Sequence, residues 1–405
     1  MEKFTINRLG LQGDGIADGP IYAARTLPGE RVTGEVVGDR IISPRIETPS
    51  DNRVSPPCRH FKACGGCQLQ HASDPFVADW KNGVVRHALA ARGIDAELRP
   101  IQTSPARSRR RAVFSVKRTK SGAMVGFHAP SSAVVIDVPE CQLIRPELRA
   151  TMPALQELAV VGGSRKAELS VTVTHSEGGA DILVRGGKPL DGPLQIALAH
   201  LAEKHDLARL AWEDEVIVTR RAPAQRFGRA LVAPPPGTFL QATIEGEAAL
   251  LAAVQEAVGD GKRVVDLFSG CGTFSLPLAE AAEVHAVEGE PAMIKALDAG
   301  WRQATGLKRV SHEARDLFRR PLTPDEFDKF DAVVVDPPRA GAEAQVEQLL
   351  RSKIKRLAMV SCNPVTFGRD AQALAGVGFN LDWVQVVDQF RWSTHVELVA
   401  QFSRA

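Results

Sequence analysis

The chain has 405 residues, of which 44% are hydrophobic and 24% charged, with a formal net charge of +2. That length exceeds one ordinary hydrophobic core, so we expect two or three domains. The composition is typical of a soluble globular protein and excludes a strongly basic nucleic-acid binder, and no apolar run reaches membrane-spanning length.

The N-terminal region predicts a small β-domain in a cytoplasmic protein. The first ten residues contain no signal-peptide core. Residues 1–50 alternate short apolar runs with glycine turns, and Arg31–Val37 is a clear strand pattern. Several short strands with tight turns indicate a β-barrel. The pattern resembles a TRAM domain, an OB-like RNA-binding module, and the alternative is a β-domain without RNA contact. Residues 43–57, rich in proline and serine, predict a linker.

A group of cysteines follows in residues 51–92. A cytosolic protein seldom uses its cysteines for disulfides, so clustered thiols suggest a metal or cluster. Three lie within ten residues and a fourth follows at a distance: Cys58, Cys64, Cys67 and Cys141. One close trio with a remote fourth fits a [4Fe–4S] cluster, whereas zinc prefers paired CxxC motifs. His60 and His71 keep a zinc site open as an alternative.

A helix and a basic run lead into the central region, residues 93–230. Residues 76–92 have an amphipathic helical pattern that ends before Gly93. Residues 106–120 then carry seven arginines and lysines around Val113, Phe114 and Val116, and the second half alternates like a strand. Such a run predicts RNA phosphate contacts, and the alternative is a solvated charged edge. We expect a central α+β region that binds RNA.

The C-terminal region, residues 231–405, alternates strand and helix patterns, which predicts a doubly wound α/β sheet. A helix is predicted over 244–258 and a buried strand over 263–268. That strand enters the glycine-rich turn 269–274, where a ligand can approach the backbone closely. Glu288 ends the next strand and could accept hydrogen bonds from ribose hydroxyls.

Cys362 stands at the end of a further apolar strand, 357–360, just before Asn363 and Pro364. The proline ends the sheet ladder there, and ligands of open α/β sheets bind at that edge. A thiol in this place is a candidate nucleophile. The alternative is a buried cysteine that acts only as a small hydrophobic side chain.

Four motifs together resemble the RNA uracil-5-methyltransferase family. They are DLFSGCGTF (266–274), DPPRAG (336–341), SCNP (361–364) and HVELV (395–399). The cysteine spacing is similar to the family branch that carries a [4Fe–4S] cluster. With the TRAM-like start, the resemblance spans nearly the whole chain, and it is strongest to the enzymes that methylate 23S ribosomal RNA. It implies a Rossmann-like S-adenosylmethionine (SAM)-dependent domain.

The resemblance also implies site residues. Cys362 is the nucleophile and Glu397 the base. The SAM site comprises Gln241, Phe268, Thr273, Glu288, Asp316 and Asp336. The cluster ligands are Cys58, Cys64, Cys67 and Cys141. The implied partner is RNA, foremost 23S rRNA, and we expect a monomer without membrane contact.

Two alternatives and two departures from the family pattern stay open. Transfer RNA is the alternative substrate, and an RNA-binding protein with an inactive Rossmann domain is the alternative class. The family often has an asparagine shortly after the glutamine, where this chain has Ala242 and Thr243. Arg391 stands where the family usually has proline. Both departures bear on substrate fit rather than on the chemistry.

Overall fold

The N-terminal region folds into one mixed sheet in the computed structural model, which describes residues 2–405. Its strands are β1 (Glu2–Thr5), β2 (Arg8–Leu9), β3 (Gly15–Ala17), β4 (Ile21–Ala23), β5 (Arg31–Val37) and β6 (Arg40–Thr48). Their order is β1-β5-β6-β4-β3-β2. The strand predicted over 31–37 is confirmed as β5. The linker predicted over 43–57 is wrong in its first part, because β6 pairs with β5 as far as Thr48.

The cysteine-bearing segment leads into helix α1 (Asp74–Ala90) and strand β7 (Leu98–Thr103). The helix predicted over 76–92 is therefore confirmed, although it begins and ends two residues earlier in the chain. Val85 and Leu89 of α1 join an apolar core of the C-terminal domain. Lys81, also on α1, is fully buried and its Nζ lies 2.6 Å from Asp388 Oδ1. This helix thus belongs with the C-terminal domain in space.

The central region is a seven-stranded sheet with two larger helices on one face. Its elements are β8 (Arg111–Arg118), β9 (Ala123–His128), β10 (Val135–Asp137), α2 (Pro146–Arg149), α3 (Met152–Gly162), β11 (Leu169–Ser176), β12 (Gly179–Arg185), α4 (Gly192–Lys204), β13 (Arg209–Trp212) and β14 (Glu215–Thr219). The strand order is β10-β9-β8-β11-β12-β13-β14. Alternate residues of β8 are buried, which confirms the strand predicted in the second half of the basic run.

A hairpin of β15 (Gln225–Phe227) and β16 (Ala230–Val232) precedes the C-terminal sheet. The following elements are α5 (Ile244–Val258), β17 (Arg263–Leu267), α6 (Ser275–Leu278), β18 (Glu283–Glu288), α7 (Pro291–Gln303), β19 (Val310–Ala314), α8 (Pro324–Phe327), β20 (Ala332–Val335), α9 (Glu343–Leu349), β21 (Arg356–Ser361), α10 (Pro364–Ala375), β22 (Asn380–Asp388) and β23 (Leu398–Ser403). The strand order is β19-β18-β17-β20-β21-β23-β22-β7.

The C-terminal sheet is parallel from β19 to β21, so the carboxyl ends of these strands meet at one edge. The predicted doubly wound α/β architecture is confirmed. Strand β23 runs antiparallel beside β21, and β7 closes the far edge by pairing with β22. The pairing of β7 with β22 joins residues nearly three hundred positions apart, and no local sequence pattern predicts it. No helix among residues 2–405 has the length and apolarity to cross a bilayer.

The arginines at the centre of the basic run are not a solvated surface. Arg110 is 3% exposed, forms an ion pair with Glu247, and donates from Nε to the Gln241 carbonyl at 3.0 Å. Arg111 donates to the Gly237 carbonyl at 3.0 Å. Because the Arg110 and Arg111 side chains are occupied in joining the central and C-terminal regions, we do not expect these two to contact RNA phosphates. The phosphate contacts of the run stay a prediction, with Lys117 and Lys120 among its exposed members.

Candidate active site

A cavity of about 840 Å³ opens at the carboxyl edge of the C-terminal sheet. All eight residues assigned to catalysis or SAM binding line it: Gln241, Phe268, Thr273, Glu288, Asp316, Asp336, Cys362 and Glu397. Six of them come from the loops after β16, β17, β19, β20 and β21, Glu288 is the last residue of β18, and Glu397 immediately precedes β23. The topology therefore gathers side chains that are far apart in sequence.

The glycine-rich turn after β17 forms the floor of the cavity. Gly270 and Gly272 have φ values of 56° and 93°, which favour glycine. Phe268, with φ 62°, is a strained non-glycine residue in the same turn. Below it, the Ser275 hydroxyl donates to Asp266 Oδ2 at 2.5 Å. This turn exposes backbone to a ligand, as a nucleotide-like molecule requires.

Two carboxylates on one side of the cavity are oriented by backbone amides. Glu288 accepts hydrogen bonds from the Gly270 and Glu290 amides, each at 3.0 Å. Asp316 accepts from the Phe318 amide at 3.0 Å. The Phe318 and Phe268 rings lie 5.5 Å apart, centroid to centroid, at the cavity wall. Carboxylates beside aromatic rings suit a ribose hydroxyl pair and a flat purine.

Cys362 follows the last residue of β21 and precedes helix α10. Asn363 caps that helix by accepting a hydrogen bond from the Val365 amide at 3.1 Å, and its Nδ2 donates to the Arg339 carbonyl at 3.1 Å. Burial, and then the Glu397 and Asp336 carboxyls, raise the pKa of Cys362 to about 11. The hydrogen bonds of the SCNP turn therefore hold the thiol at the cavity wall, and the raised pKa keeps it protonated at neutral pH.

Two acids face that thiol. Glu397 is 4% exposed, and burial raises its pKa to about 7, while a hydrogen bond from Gln389 acts in the opposite direction. Burial, and then the Glu397 charge, raise the pKa of Asp336 well above its ordinary value. One carboxyl is therefore poised to exchange a proton near neutral pH, and the other is held as a neutral acid.

The cavity also contains residues that the sequence did not single out. Phe318, Arg339, Phe390 and His395 line it, and Gln389 lies behind it against Glu397. His395 is the first residue of the HVELV motif and Arg339 is within DPPRAG, so these two had a local signal. Phe318 and Gln389 had none, because their roles arise from contacts across the sheet edge.

The cysteines Cys58, Cys64, Cys67 and Cys141 lie in one neighbourhood outside the cavity. Cys64, Cys67 and Cys141 pack at the edge of the central core, with Trp392 in the same cluster. Burial raises the pKa of Cys67 to about 12, and the three other thiols add to this effect. Among residues 2–405, no three His, Cys, Asp or Glu side chains are arranged to hold a single metal ion.

The backbone between the first cysteines is tightly enclosed. A Cβ on Gly65 would lie 2.9 Å from the His128 carbonyl oxygen, so only glycine fits there. The Gln68 and Leu69 amides donate to the Trp392 carbonyl at 2.8 and 2.9 Å. The cysteine segment is thereby attached to the loop between β22 and β23, which carries residues of the cavity.

Comparisons with known proteins agree with this geometry. A family model described as tRNA (uracil-5-)-methyltransferase matches residues 235–404. An uncharacterized RNA methyltransferase of Brucella suis is 43% identical over 99% of this chain and 98% of its own. The 23S rRNA (uracil(1939)-C(5))-methyltransferase RlmD of Shewanella halifaxensis is 30% identical, over 99% of this chain and 95% of its own.

The fold as a whole matches a solved structure. The tRNA (uracil-54, C5)-methyltransferase of Pyrococcus abyssi, crystallised with S-adenosyl-L-homocysteine, superposes with a TM-score of 0.78 over 99% of both chains. Its sequence is 22% identical, so the likeness concerns the fold. The predicted arrangement of a small N-terminal β-domain, a central α+β region and a Rossmann-like methyltransferase domain is confirmed at that level.

Proposed function

The chain belongs to the RNA uracil-5-methyltransferase family, and from that premise we propose that it methylates C5 of one uridine in 23S rRNA. SAM is the proposed methyl donor. The observation that supports the proposal most strongly is the convergence of Cys362, Glu397 and Asp336 in the cavity that also holds the glycine-rich turn. Family membership favours an active enzyme over an inactive RNA-binding protein.

The residues that would hold SAM fit its chemistry. Glu288 offers a carboxylate for the ribose hydroxyls, the Phe268 and Phe318 rings offer a flat apolar wall for adenine, and Asp316 lies beside them. Gln241, Thr273 and Asp336 complete the set. SAM supplies an electrophilic methyl group, and the remaining chemistry belongs to side chains of this chain.

The proposed reaction begins at C6 of the uracil ring, because C5 alone is a poor nucleophile. The Cys362 thiol gives up its proton to solvent and adds to C6 as the thiolate, and the electrons of the C5–C6 double bond move toward O4 as an enolate. C5 then attacks the donor's methyl carbon, whose bond to sulfur breaks. Glu397 removes the C5 proton, the C5–C6 double bond forms again, and Cys362 leaves as a thiolate. Asp336, held neutral, could orient the base ring.

Substrate RNA must present the uridine outside a base stack to enter this cavity. Loops and unpaired strands are therefore the expected targets, since opening them costs less. We propose that the N-terminal β-domain (1–50) and the central region (93–230) hold the flanking RNA, with the cysteine segment (51–92) between them and the methyltransferase domain at 231–405. We propose a monomer, working in the cytoplasm where ribosomal RNA is found.

The test of this function is direct. Ribosomal and transfer RNA from a strain lacking the gene are incubated with the protein and SAM, and 5-methyluridine is measured by mass spectrometry. We expect one new 5-methyluridine in 23S rRNA with the wild type and none with Cys362→Ala, which should still bind SAM. Product in tRNA alone would transfer the activity to the alternative substrate, and full activity of Cys362→Ala would exclude the covalent route.

We also propose that Cys58, Cys64, Cys67 and Cys141 hold a [4Fe–4S] cluster. Four thiols gathered from two segments support this set: Cys58 and Cys141 are buried, Cys64 and Cys67 are half-buried, and an enclosed glycine backbone lies between Cys64 and Cys67. The cluster would cross-link the cysteine segment to the central region. Anaerobically purified protein should be brown, with about four irons per chain. Colourless protein with one zinc per chain would assign the thiols to zinc instead, with His60 or His71 as further ligands.

A further inference from the structure

The side chain of Gln389 lies between two residues of the cavity. Gln389 follows the last residue of β22 and is 1% exposed. Its amide forms three hydrogen bonds: Oε1 accepts from the Ala242 backbone amide at 2.6 Å, and Nε2 donates to Gln241 Oε1 at 2.5 Å and to Glu397 Oε2 at 2.8 Å. Both hydrogens of this amide nitrogen are therefore used inside the protein.

The direction of these hydrogen bonds is set by the backbone. A backbone N–H can only donate, so the Gln389 atom that faces Ala242 must be the oxygen. Its nitrogen must then face Gln241 and Glu397 as a donor. It follows that Gln241 presents its oxygen to Gln389 and keeps its own amide nitrogen for the cavity. It also follows that Glu397 is held through one carboxylate oxygen, which leaves Oε1 free of protein hydrogen bonds among residues 2–405.

The surroundings are shaped to accept this side chain. A Cβ on Gly246, in the first turn of α5, would lie 2.6 Å from the Gln389 Cβ, so only glycine leaves room there. The Glu397 carbonyl accepts from the Val387 amide at 2.9 Å, which fixes the backbone of Glu397 opposite β22. The Gln389 side chain is thus held by its hydrogen bonds to Ala242, Gln241 and Glu397 and by the space left at Gly246.

We propose that Gln389 is a positioning residue, which holds the carboxylate of Glu397 with one oxygen toward the substrate and sets Gln241 as a hydrogen-bond donor to the ligand. This inference rests on the proposed function and names a residue on which its proton-transfer step depends. A carboxylate that accepts two fixed hydrogens, or one from a buried amide, is favoured in its charged form, which is the form that can take a proton.

Burial of Glu397 acts against that charged form, and no described group other than Gln389 offsets it. Asp336 and the Cys362 thiol face it from the ends of β20 and β21, and no cation forms an ion pair with it among residues 2–405. Arg339 lies near Cys362 and His395, and the buried Lys81 neutralises Asp388. Gln389 is therefore the one described side chain that hydrogen-bonds to the Glu397 carboxylate.

The experiment replaces Gln389 by methionine, which keeps the length of the side chain and removes its hydrogen bonds. Single-turnover methylation of 23S rRNA with methyl-labelled SAM is followed from about pH 6 to about pH 9. Released RNA and denaturation-resistant protein–RNA adduct are counted separately. Gln385→Met is the matched control, because Gln385 lies on β22 just before Gln389 and donates to the Pro100 carbonyl away from the cavity.

With Gln389→Met we expect adduct release to slow about tenfold or more at neutral pH, and its pH midpoint to rise by about one to two units. Labelled adduct should accumulate at neutral pH and clear at high pH, while Gln385→Met behaves as wild type. If Gln389→Met does not fold, Gln389→Glu has the same shape and should move the midpoint in the same direction. A uniformly slower reaction with an unmoved midpoint would overturn the proposal. A wild type that forms no 5-methyluridine would instead overturn the proposed function.

Discussion

Cys362 is a thiol that its surroundings hold protonated in the free protein. Burial and the Glu397 and Asp336 carboxyls raise its pKa from 9.0 to about 11, and Arg339 partly opposes them. Because the thiolate is the form that attacks, the free enzyme carries little reactive sulfur at neutral pH. Before RNA binds, Cys362 should therefore react only slowly with other electrophiles.

That protonation state predicts the reactivity of Cys362 toward alkylation. We expect iodoacetamide to label Cys362 about tenfold faster for each added pH unit, until the rate levels near the pKa of about 11. Peptide mass mapping reads Cys362 apart from the other cysteines. Asp336→Asn, which removes one carboxyl, should move the plateau to lower pH. A plateau near pH 9 in the wild type would contradict a raised pKa.

Among the secondary-structure elements, strand β8 and Arg110, the residue just before it, link the central region to the C-terminal domain. Arg110 pairs with Glu247 of α5, and Arg111 reaches the loop before that helix. Both side chains are desolvated, and Glu247 itself has a raised pKa because burial outweighs its partner's charge. A buried pair of this kind is costly to break from one side, since the remaining charge is left without a partner.

Arg110→Gln is therefore expected to lower the free energy of unfolding by about 3 kcal/mol. It should leave the slope of log RNA affinity against log salt unchanged, because Arg110 does not reach phosphate. Urea unfolding and filter binding at several salt concentrations measure the two effects. The exposed Lys117 on β8 is the matched control, and Lys117→Gln should keep the stability of the wild type. A slope that is flatter by about one unit in Arg110→Gln would show that Arg110 does contact an RNA phosphate.

Elements with a local signal were predictable from the sequence, and those made by distant contacts were not. Strand β5 and helix α5 carry their own periodicity, so their predicted ranges agree with the structure. The eight site residues follow motifs at strand ends, and the cavity gathers all of them. The pairing of β7 with β22 and the burial of Arg110 depend on partners over a hundred residues away, which no window of sequence contains.

In the whole molecule, three regions meet at the loop between β22 and β23. The cysteine segment donates two backbone hydrogen bonds to the Trp392 carbonyl. The N-terminal domain reaches the same place, where a Cβ on Gly13 would lie 3.1 Å from the Thr394 methyl. Arg109, close to Cys67 and Cys141, lies over the Phe390 ring at 5.5 Å. The order of this loop thus depends on the cysteine neighbourhood.

Removal of the proposed cluster should loosen that loop. We expect Cys64→Ser, purified anaerobically, to lose iron and to show faster hydrogen–deuterium exchange over residues 389–394, while exchange in β17 is unchanged. The physical reason is that the Gln68 and Leu69 amides lose the anchor that holds them against Trp392. Mass spectrometry measures the exchange in the absence of any activity. If the iron-free variant exchanged over residues 389–394 at the same rate as the wild type, the order of this loop would not depend on the cysteines.

In the proposed reaction, Cys362 and Glu397 perform successive covalent and proton-transfer steps on one uridine. Glu397→Gln keeps the shape of the side chain but cannot accept the C5 proton, so Cys362 should add and the methyl group should transfer without release. Denaturing gels with methyl-labelled SAM should then show a stable protein–RNA adduct, which peptide mapping places on Cys362. The double variant Glu397→Gln, Cys362→Ala should show none. Normal turnover of Glu397→Gln without adduct would contradict the account.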